Sequence, residues 1–259
     1  MDNVLDFTKK LALSAGKTLL GYFQTSGIKQ GFKEDHTVVT EADLASDRLI
    51  RQELKKSFPE DGILSEEEDT TFPRGKNFVW VIDPLDGTTN FSLGLHYWGV
   101  LITRTHHGIP VLSVFYFPLL NELYIAVKGE GAYLNERRLN IDISSTPPEA
   151  TFFSCCSRTH RNYQVEIPYK PRILGSAGYG LSTIARGTAV LALEVTPKVW
   201  DFAGCVLLTE EAGGYFASMD GVSIFPLQPG MDYKNRSFPL LAANSKEMWN
   251  FGKQHLKPR

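Results

Sequence analysis

The sequence is poor in cysteine, in excess charge and in long apolar runs. Its 259 residues include three cysteines, two of them adjacent, so it has neither a disulfide framework nor the spacing of a zinc site. So little cysteine is typical of a reducing compartment, and we expect a cytoplasmic protein. No apolar run approaches the length of a membrane span, and the first residues lack the basic-then-apolar pattern of a signal peptide.

The charge balance argues against two classes of partner. The chain carries 27 Lys and Arg against 29 Asp and Glu, a net charge of −2 with histidine neutral. Without a basic stripe, we expect neither nucleic acid nor a membrane surface as a partner. An anionic substrate would then need local positive charge, which a bound metal ion could supply.

The periodicity of apolar residues predicts a mixed fold. Helical spacing over 4–23 and over about 40–57 indicates two amphipathic helices. From 79 to 127 the pattern changes to strands separated by glycine and proline turns. Because several strands follow one another directly, an α+β layered fold is favoured over a doubly wound one.

The second half of the chain mixes strands with helices. Strands are predicted near 151–154 and 173–174, followed by helices over about 181–186 and 201–212. The segment 144–149, with its adjacent prolines, is the best candidate boundary between two lobes. We therefore expect an N-terminal lobe at 1–145 and a C-terminal lobe at 146–259, packed as one compact unit.

The most informative stretch is Asp83-Pro84-Leu85-Asp86-Gly87-Thr88, which follows an apolar run of strand length. The proline fixes its own φ, and the glycine lets the backbone come close to a ligand. Two carboxylates at a strand end can hold a hard divalent cation by oxygen, and the following N–H groups can take an anion. A metal beside an anion indicates phosphate chemistry.

Three more acidic residues lie at predicted element ends, and each also has a purely structural interpretation. Asp43 completes a capping-box pattern with Thr40. Glu66 opens an acidic run that is typical of a solvated loop, and Asp201 is suited to cap a helix. Together with Asp83 and Asp86, these positions favour one shared site over separate structural roles.

These acidic motifs, taken in order, resemble those of a known family. Asp83 to Phe91, together with Trp200-Asp201-Phe202-Ala203-Gly204, is similar to the paired signatures of the inositol monophosphatase family. The segments Val39-Thr40-Glu41-Ala42-Asp43, Leu64-Ser65-Glu66-Glu67 and Gly175-Ser176-Ala177 also resemble that family, in the expected order. The resemblance implies a layered αβαβα sandwich of the inositol monophosphatase and fructose-1,6-bisphosphatase type. It also implies a Mg²⁺-dependent, lithium-sensitive phosphatase that forms a homodimer.

The resemblance also implies roles for individual residues. Glu66, Asp83 and the Leu85 carbonyl would bind one Mg²⁺, and Asp83, Asp86 and Asp201 a second, with a third ion left open. Thr88 and Glu66 would activate the attacking water, and Asp43 would orient the Thr88 hydroxyl. The residues implied to bind substrate are Gly87, Thr88, Thr89, Ala177, Glu194 and Asp201. Lys33 matches a lysine of a mobile loop.

The expected substrate is myo-inositol monophosphate, because Thr89-Asn90-Phe91 resembles that branch of the family. Fructose 1,6-bisphosphate, 3′-phosphoadenosine 5′-phosphate and histidinol phosphate remain alternatives, and so does a catalytically silent regulatory homologue. Glu194 could instead be a surface glutamate after an apolar strand, and the adjacent cysteines could be packing residues. The stretch 158–172 is short for the family, which predicts a wider pocket.

Overall fold

The chain folds into alternating layers of helices and β-sheets. The computed structural model describes residues 2–23, 30–32, 38–142 and 150–259, with the backbone alone for 2, 30–32 and 38–39. The helices in these ranges are α1 (Asp2–Phe23), α2 (Glu41–Ser57), α3 (Thr88–Ser92), α4 (Thr159–Asn162), α5 (Ala177–Ala185), α6 (Val199–Glu211) and α7 (Lys246–His255), with a 3₁₀ turn at Pro118–Leu120.

The strands of the same ranges form two large sheets and two small ones. They are β1 (Gln30–Phe32), β2 (Val38–Thr40), β3 (Gly62–Ser65), β4 (Phe78–Asp86), β5 (Gly99–His106), β6 (Ile109–Phe117), β7 (Glu122–Val127), β8 (Gly131–Leu134), β9 (Arg137–Leu139), β10 (Phe152–Cys155), β11 (Tyr163–Val165), β12 (Pro171–Arg172), β13 (Ala189–Glu194), β14 (Tyr215–Ser218), β15 (Leu240–Ala243) and β16 (Leu256–Pro258). The first large sheet has the order β3-β4-β5-β6-β7-β8-β9, and the second β12-β10-β13-β15-β14. Strands β1 and β2 form a small antiparallel pair, as do β11 and β16.

The seven-stranded sheet is buried on both faces. Along β4, Trp80 and Ile82 pack in a cluster with residues of α1 and α2, whereas Val79 and Val81 join a cluster with residues of α5 and α6. Side chains of a strand alternate between the two faces of its sheet, so one continuous apolar run can serve both clusters. Strand β4, next to the edge strand β3, is therefore fixed from both faces.

The five-stranded sheet is covered in the same way. Ala192, Leu240 and Ala242 face the helices α5 and α6, while Leu191 and Leu241 pack with Trp249 of α7. The layers therefore run helices, sheet, helices, sheet, helix. This arrangement confirms the predicted α+β fold with αβαβα layering.

Most predicted elements lie close to where the structure has them. Helix α2 begins directly after its N-cap, Thr40, and α6 begins at Val199, two residues before the predicted start. The strand predicted at 173–174 is wrong, since the strand there is Pro171–Arg172 and the next residues lead into α5. The predicted lobe boundary at 144–149 lies outside the described residues, and the division into two lobes stays a prediction. Among the described helices, none is long and apolar enough to cross a membrane.

The middle helix layer depends on a glycine. A Cβ on Gly204 of α6 would lie 2.4 Å from Thr103 Oγ1 and 2.5 Å from Phe115 Cζ, both on the seven-stranded sheet. Real Cβ atoms do not approach other atoms so closely, so α6 packs against this sheet at a distance that only glycine allows. The helix carries Asp201 in its first turn, and its close packing fixes where that carboxylate lies.

We expect Gly204→Ala to destabilise the protein although alanine favours helix formation. Overpacking a core costs about 1–3 kcal/mol, against a gain of about 1 kcal/mol in helix propensity. Gly21→Ala is the matched control, because Gly21 lies in α1 and no described atom beyond its own helix backbone lies within 4 Å of the added Cβ. Urea unfolding should show a lower midpoint for Gly204→Ala and an equal or higher one for Gly21→Ala. A Gly204→Ala midpoint at or above that of the unmodified chain would contradict the close packing.

Candidate functional site

A polar cavity of about 480 Å³ lies where ends of both large sheets meet the helices between them. Its lining includes most of the acidic residues that the sequence pointed to. The residues around it are Glu66, Asp83, Leu85, Asp86, Gly87, Thr88, Thr89, Cys156, Ser157, Arg158, Ile173, Gly175, Ser176, Ala177, Glu194, Thr196, Pro197 and Asp201. Five of these eighteen side chains are carboxylates, and Arg158 is the one cation among them.

Strand pairing brings the first two carboxylates together. Strands β3 and β4 are parallel, with Ser65 opposite Ile82, so the next residues of each strand, Glu66 and Asp83, emerge side by side. The Glu66 N–H donates to the Ile82 carbonyl at 3.3 Å, which continues the pairing past the strand end. Asp201 approaches from a different layer, on the first turn of α6.

Glu66, Asp83 and Asp201 form a cluster that could hold a metal ion. Each offers a carboxylate oxygen, and these oxygens lie within 4.8 Å of one another. Burial raises the pKa of Asp83 well above its usual value, and the negative charges of Glu66, Asp86 and Asp201 raise it further. The pKa of Asp201 is raised in the same way by burial and then by Glu66 and Asp86. Burial and mutual repulsion therefore both oppose ionisation of these two aspartates.

Asp86 lies in the same cavity but is held differently. Its Oδ2 accepts a hydrogen bond from the Ser176 hydroxyl, and its Oδ1 accepts one from the Ala177 N–H at 3.1 Å. These bonds tie the end of β4 to the start of α5. Burial raises the pKa of Asp86 to about 6, although its bond from Ser176 acts in the opposite direction.

Asp43 connects helix α2 to Thr88. Its Oδ2 accepts hydrogen bonds from the Thr40 N–H at 2.8 Å and the Thr40 hydroxyl at 2.6 Å, which form part of the predicted capping box. Its Oδ1 lies 3.0 Å from Thr88 Oγ1, which is also 3.0 Å from the Leu85 carbonyl oxygen. Burial raises the pKa of Asp43 to about 6. The capping interpretation of this residue is therefore confirmed, and the catalytic role, which the contact with Thr88 fits, stays a prediction.

The turn after β4 has a backbone that requires glycine. Gly87 has a φ of 85°, and a Cβ there would lie 2.7 Å from the Tyr97 carbonyl oxygen. Asn90 then joins this turn to the segment before α5, because its side-chain amide donates to the carbonyls of Tyr97 and Leu174, each at 2.7 Å. The polar turn is therefore fixed to both halves of the cavity wall.

The far wall of the cavity comes from the second sheet. Strands β10 and β13 are parallel, with Cys155 opposite Leu193, so Cys156 and Glu194 follow as neighbours. Burial raises the pKa of Glu194 to about 8, and the charge of Asp86 adds to this rise. Glu194 thus faces the cavity with Cys156, whereas Cys155 is packed in the core between this sheet and α7.

The structure places nearly all the sequence-predicted site residues around this cavity. Asp43 does not line the cavity itself, but it accepts a hydrogen bond from Thr88, which does. Lys33 lies outside the described residues. The roles assigned to these residues stay predictions, including the ligand roles of Asp86 and the Leu85 carbonyl, which lie outside the three-carboxylate cluster.

Sequence reasoning missed that Arg158, Thr196 and Pro197 form a rim of the cavity together with Ser157. An Nη1 hydrogen of Arg158 is donated to Thr196 Oγ1 at 2.8 Å, across the ends of β10 and β13. The two segments are 38 residues apart in sequence, and parallel pairing alone brings them together. The one available signal was their position after two apolar runs of strand length.

Comparison with known proteins agrees with this geometry. Residues 1–250 match the model of the inositol monophosphatase family. The chain is 34% identical over 221 residues to a histidinol-phosphatase of Chlorobaculum parvum, covering 81% of this chain and 83% of that protein. It is 35% identical over 252 residues to the Nus factor SuhB of Xylella fastidiosa, covering 92% and 88%.

A solved structure gives the same result for the whole fold. The inositol monophosphatase from Anabaena (Nostoc) sp. PCC 7120 superposes with a TM-score of 0.77 at 26% identity, covering 99% of this chain and 97% of that one. The family model spans nearly the whole sequence, and both relatives exceed 30% identity over most of their length. The chain therefore belongs to the inositol monophosphatase family, a family of phosphatases.

Proposed function

We propose that the protein hydrolyses a small phosphate monoester with the help of Mg²⁺, and that myo-inositol monophosphate is its substrate. The observation that carries the proposal is the three-carboxylate cluster beside Thr88 in one cavity. Family membership supports the reaction class. The resemblance of Thr89-Asn90-Phe91 to the inositol-phosphatase branch supports the substrate.

The donor set fits Mg²⁺. All three groups of the cluster are carboxylates, and hard oxygen donors are the ligands that Mg²⁺ prefers. Asp83 and Asp201 make no ion pair with Lys, Arg or His in the described part of the chain, and their raised pKa values reflect that lack. We propose that Glu66, Asp83 and the Leu85 carbonyl hold one ion and that Asp83, Asp86 and Asp201 hold a second. The chemistry that bound Mg²⁺ supplies is polarisation of the phosphoryl group and neutralisation of charge at the leaving oxygen.

Thr88, Glu66 and Asp43 would orient the attacking water. A hydroxyl has one proton, so when Thr88 donates it to Asp43 Oδ1, the lone pairs of Oγ1 are left to accept from water. The carboxylate of Glu66, on the same cavity wall, would take the proton that the water loses. Asp43 holds the Thr88 hydroxyl in one orientation because Thr40 fixes its other oxygen.

The two ends of the substrate would meet different walls. Gly87, Thr88 and Thr89 line the cavity beside the cluster and would bind the phosphate, with Gly87 allowing the close approach that its positive φ provides. Ala177 and Glu194 also line the cavity and would contact the hydroxyl-bearing ring. A cavity of about 480 Å³ has room for a small polyol phosphate.

One observation favours a second candidate, a substrate with another acidic group such as fructose 1,6-bisphosphate. Arg158 is the one basic side chain on the described cavity lining, at the wall that would face the leaving group. Its bond to Thr196 uses Nη1, and a guanidinium has further donors in a planar fork that suits a second phosphate.

Other activities stay open within the same reaction class. Histidinol phosphate is a candidate substrate because the relative from Chlorobaculum parvum is named a histidinol-phosphatase. The family resemblance adds 3′-phosphoadenosine 5′-phosphate as another candidate. A catalytically silent regulatory homologue is the non-enzyme alternative. The similarity to the relative named Nus factor SuhB supports this alternative. The candidates can be separated by a phosphate-release screen with Mg²⁺. Its four substrates are inositol monophosphate, fructose 1,6-bisphosphate, histidinol phosphate and 3′-phosphoadenosine 5′-phosphate. No turnover of any of them would support the silent homologue.

Asp83→Asn is expected to abolish turnover while the fold is kept. Even changes outside the ligand shell of metal sites cost about 10–100-fold, so the loss of a shared ligand should exceed about 100-fold in kcat. In the presence of EDTA the thermal midpoint should stay equal or rise, because the substitution removes one of several repelling charges. Asp6→Asn, at an exposed position of α1, is the control. Near-normal turnover by Asp83→Asn would rule out the ligand assignment.

Thr88→Val is expected to lower kcat by about 10²–10⁴-fold, the usual contribution of a positioned proton-transfer group. Valine keeps the shape but loses the hydroxyl that contacts Asp43 and Leu85. Thr88→Ser keeps the hydroxyl and should retain most of the activity. Steady-state phosphate release at saturating Mg²⁺ measures both variants. Equal rates for the valine and serine variants would remove Thr88 from the mechanism.

Arg158→Gln is expected to separate the two candidate substrates. A hydrogen bond to a charged group contributes about 1.5–3 kcal/mol, so KM for fructose 1,6-bisphosphate should rise about 10–100-fold. KM for inositol monophosphate, which has no second acidic group, should change little. If the unmodified protein does not hydrolyse the bisphosphate, or if both KM values rise together, the second candidate is wrong.

A further inference from the structure

Arg51 of α2 is a buried cation with acidic partners on two sides. Its side chain is 7% exposed, and its Nε lies 3.6 Å from Asp47 Oδ2 on the same helix. Its Nη2 donates to Asp69 Oδ2 at 2.6 Å and lies 3.0 Å from Glu68 Oε2. Arginine is almost never buried unless it is paired, so these contacts account for its position.

Two of these partners belong to the turn that directly follows Glu66. The turn is closed by the Ser65 N–H, which donates to the Asp69 carbonyl at 2.9 Å. The Ser65 hydroxyl donates to Asp47 Oδ1, so the Asp47 side chain contacts both Arg51 and the end of β3. Helix α2 therefore holds the turn on either side of Glu66, through Ser65 before it and through Glu68 and Asp69 after it.

Solubility alone gives no reason for this arrangement. The side chains of Glu68 and Asp69 are 55% and 59% exposed, so water would hydrate them without an arginine. An apolar side chain would fill the buried place on α2 without the desolvation cost of a guanidinium. The consequence that does need Arg51 is a fixed path for the 65–69 backbone, and Glu66 lies within that path.

We propose that Arg51 is a positioning residue for Glu66. By holding Glu68 and Asp69, it keeps the turn ordered, so that the Glu66 carboxylate lies with Asp83 and Asp201 before a cation binds. Without it, binding would have to order the turn at the same time, and the lost backbone entropy would weaken the affinity. The inference rests on the proposed function, in which Glu66 is a Mg²⁺ ligand.

For the loss of Arg51, simple electrostatics predicts a change in Mg²⁺ affinity of the opposite sign. Loss of a positive charge near the cluster, with Asp47, Glu68 and Asp69 left unneutralised, should attract Mg²⁺ more strongly. Positioning predicts weaker binding instead. The sign of the change in Mg²⁺ affinity therefore separates the two effects.

The test is calorimetric titration of the metal-free full-length chain with MgCl₂. Arg51→Met should weaken the affinity about 10–100-fold, the usual effect of a residue that orients a metal ligand. The midpoint for Mg²⁺ in phosphate release should rise in parallel, while kcat at saturating Mg²⁺ stays near that of the unmodified protein. Arg48→Met is the matched control, because Arg48 is exposed on the same helix and the change removes the same charge.

Arg51→Lys covers the case in which the methionine variant does not fold. Lysine keeps the charge but has one nitrogen in place of the two, Nε facing Asp47 and Nη2 contacting Glu68 and Asp69, so its expected Mg²⁺ affinity is intermediate. An affinity equal to or tighter than that of the unmodified protein, in whichever of the two variants folds, overturns the inference. So does a lower thermal midpoint with unchanged Mg²⁺ affinity, since that result assigns Arg51 to the fold alone. If the unmodified protein itself binds no Mg²⁺, the proposed function fails first and the inference fails with it.

Discussion

Repulsion among carboxylates is the constraint on which this site depends. Oxygens of Glu66, Asp83 and Asp201 lie within 4.8 Å of one another, and burial with mutual repulsion raises the pKa values of both aspartates. Such a cluster opposes folding unless a cation binds it, because Asp83 and Asp201 are desolvated and make no ion pair with Lys, Arg or His in the described part of the chain. The surrounding elements must therefore hold the carboxylates in place against a force that would separate them.

The layered fold supplies that restraint from several directions. Parallel pairing of β3 with β4 places Glu66 beside Asp83, and the close packing of α6 brings in Asp201 from the middle layer. Asp86 takes no part in the three-carboxylate cluster, and its hydrogen bonds join the end of β4 to the start of α5. The acidic site is thus a product of strand ends and helix starts that meet at one edge.

Several acidic segments combine a structural contact with a contact at the candidate site. Asp43 accepts the capping bonds of α2 with one oxygen and contacts Thr88 with the other. The acidic run at 66–69 includes both the clustered Glu66 and the partners of Arg51. Sequence reasoning weighed capping and placement at the site as alternatives for Asp43, whereas a carboxylate has two oxygens and this one contacts Thr40 with one and Thr88 with the other. This is why local pattern alone could not choose between them.

The sequence by itself determined the family, the layered fold class and the acidic residues around the cavity, because these follow from local motifs and from the period of apolar residues. It did not determine how the far wall of the cavity, which includes the predicted Glu194, is assembled. Cys156, Arg158 and Thr196 meet Glu194 through parallel pairing of β10 with β13, and no local pattern records which strands pair. The contacts of Arg51 with Glu68 and Asp69 could not be predicted from the sequence for the same reason. Chemistry that resides in one turn can be read along the chain, but neighbours that are distant in sequence are decided by tertiary packing.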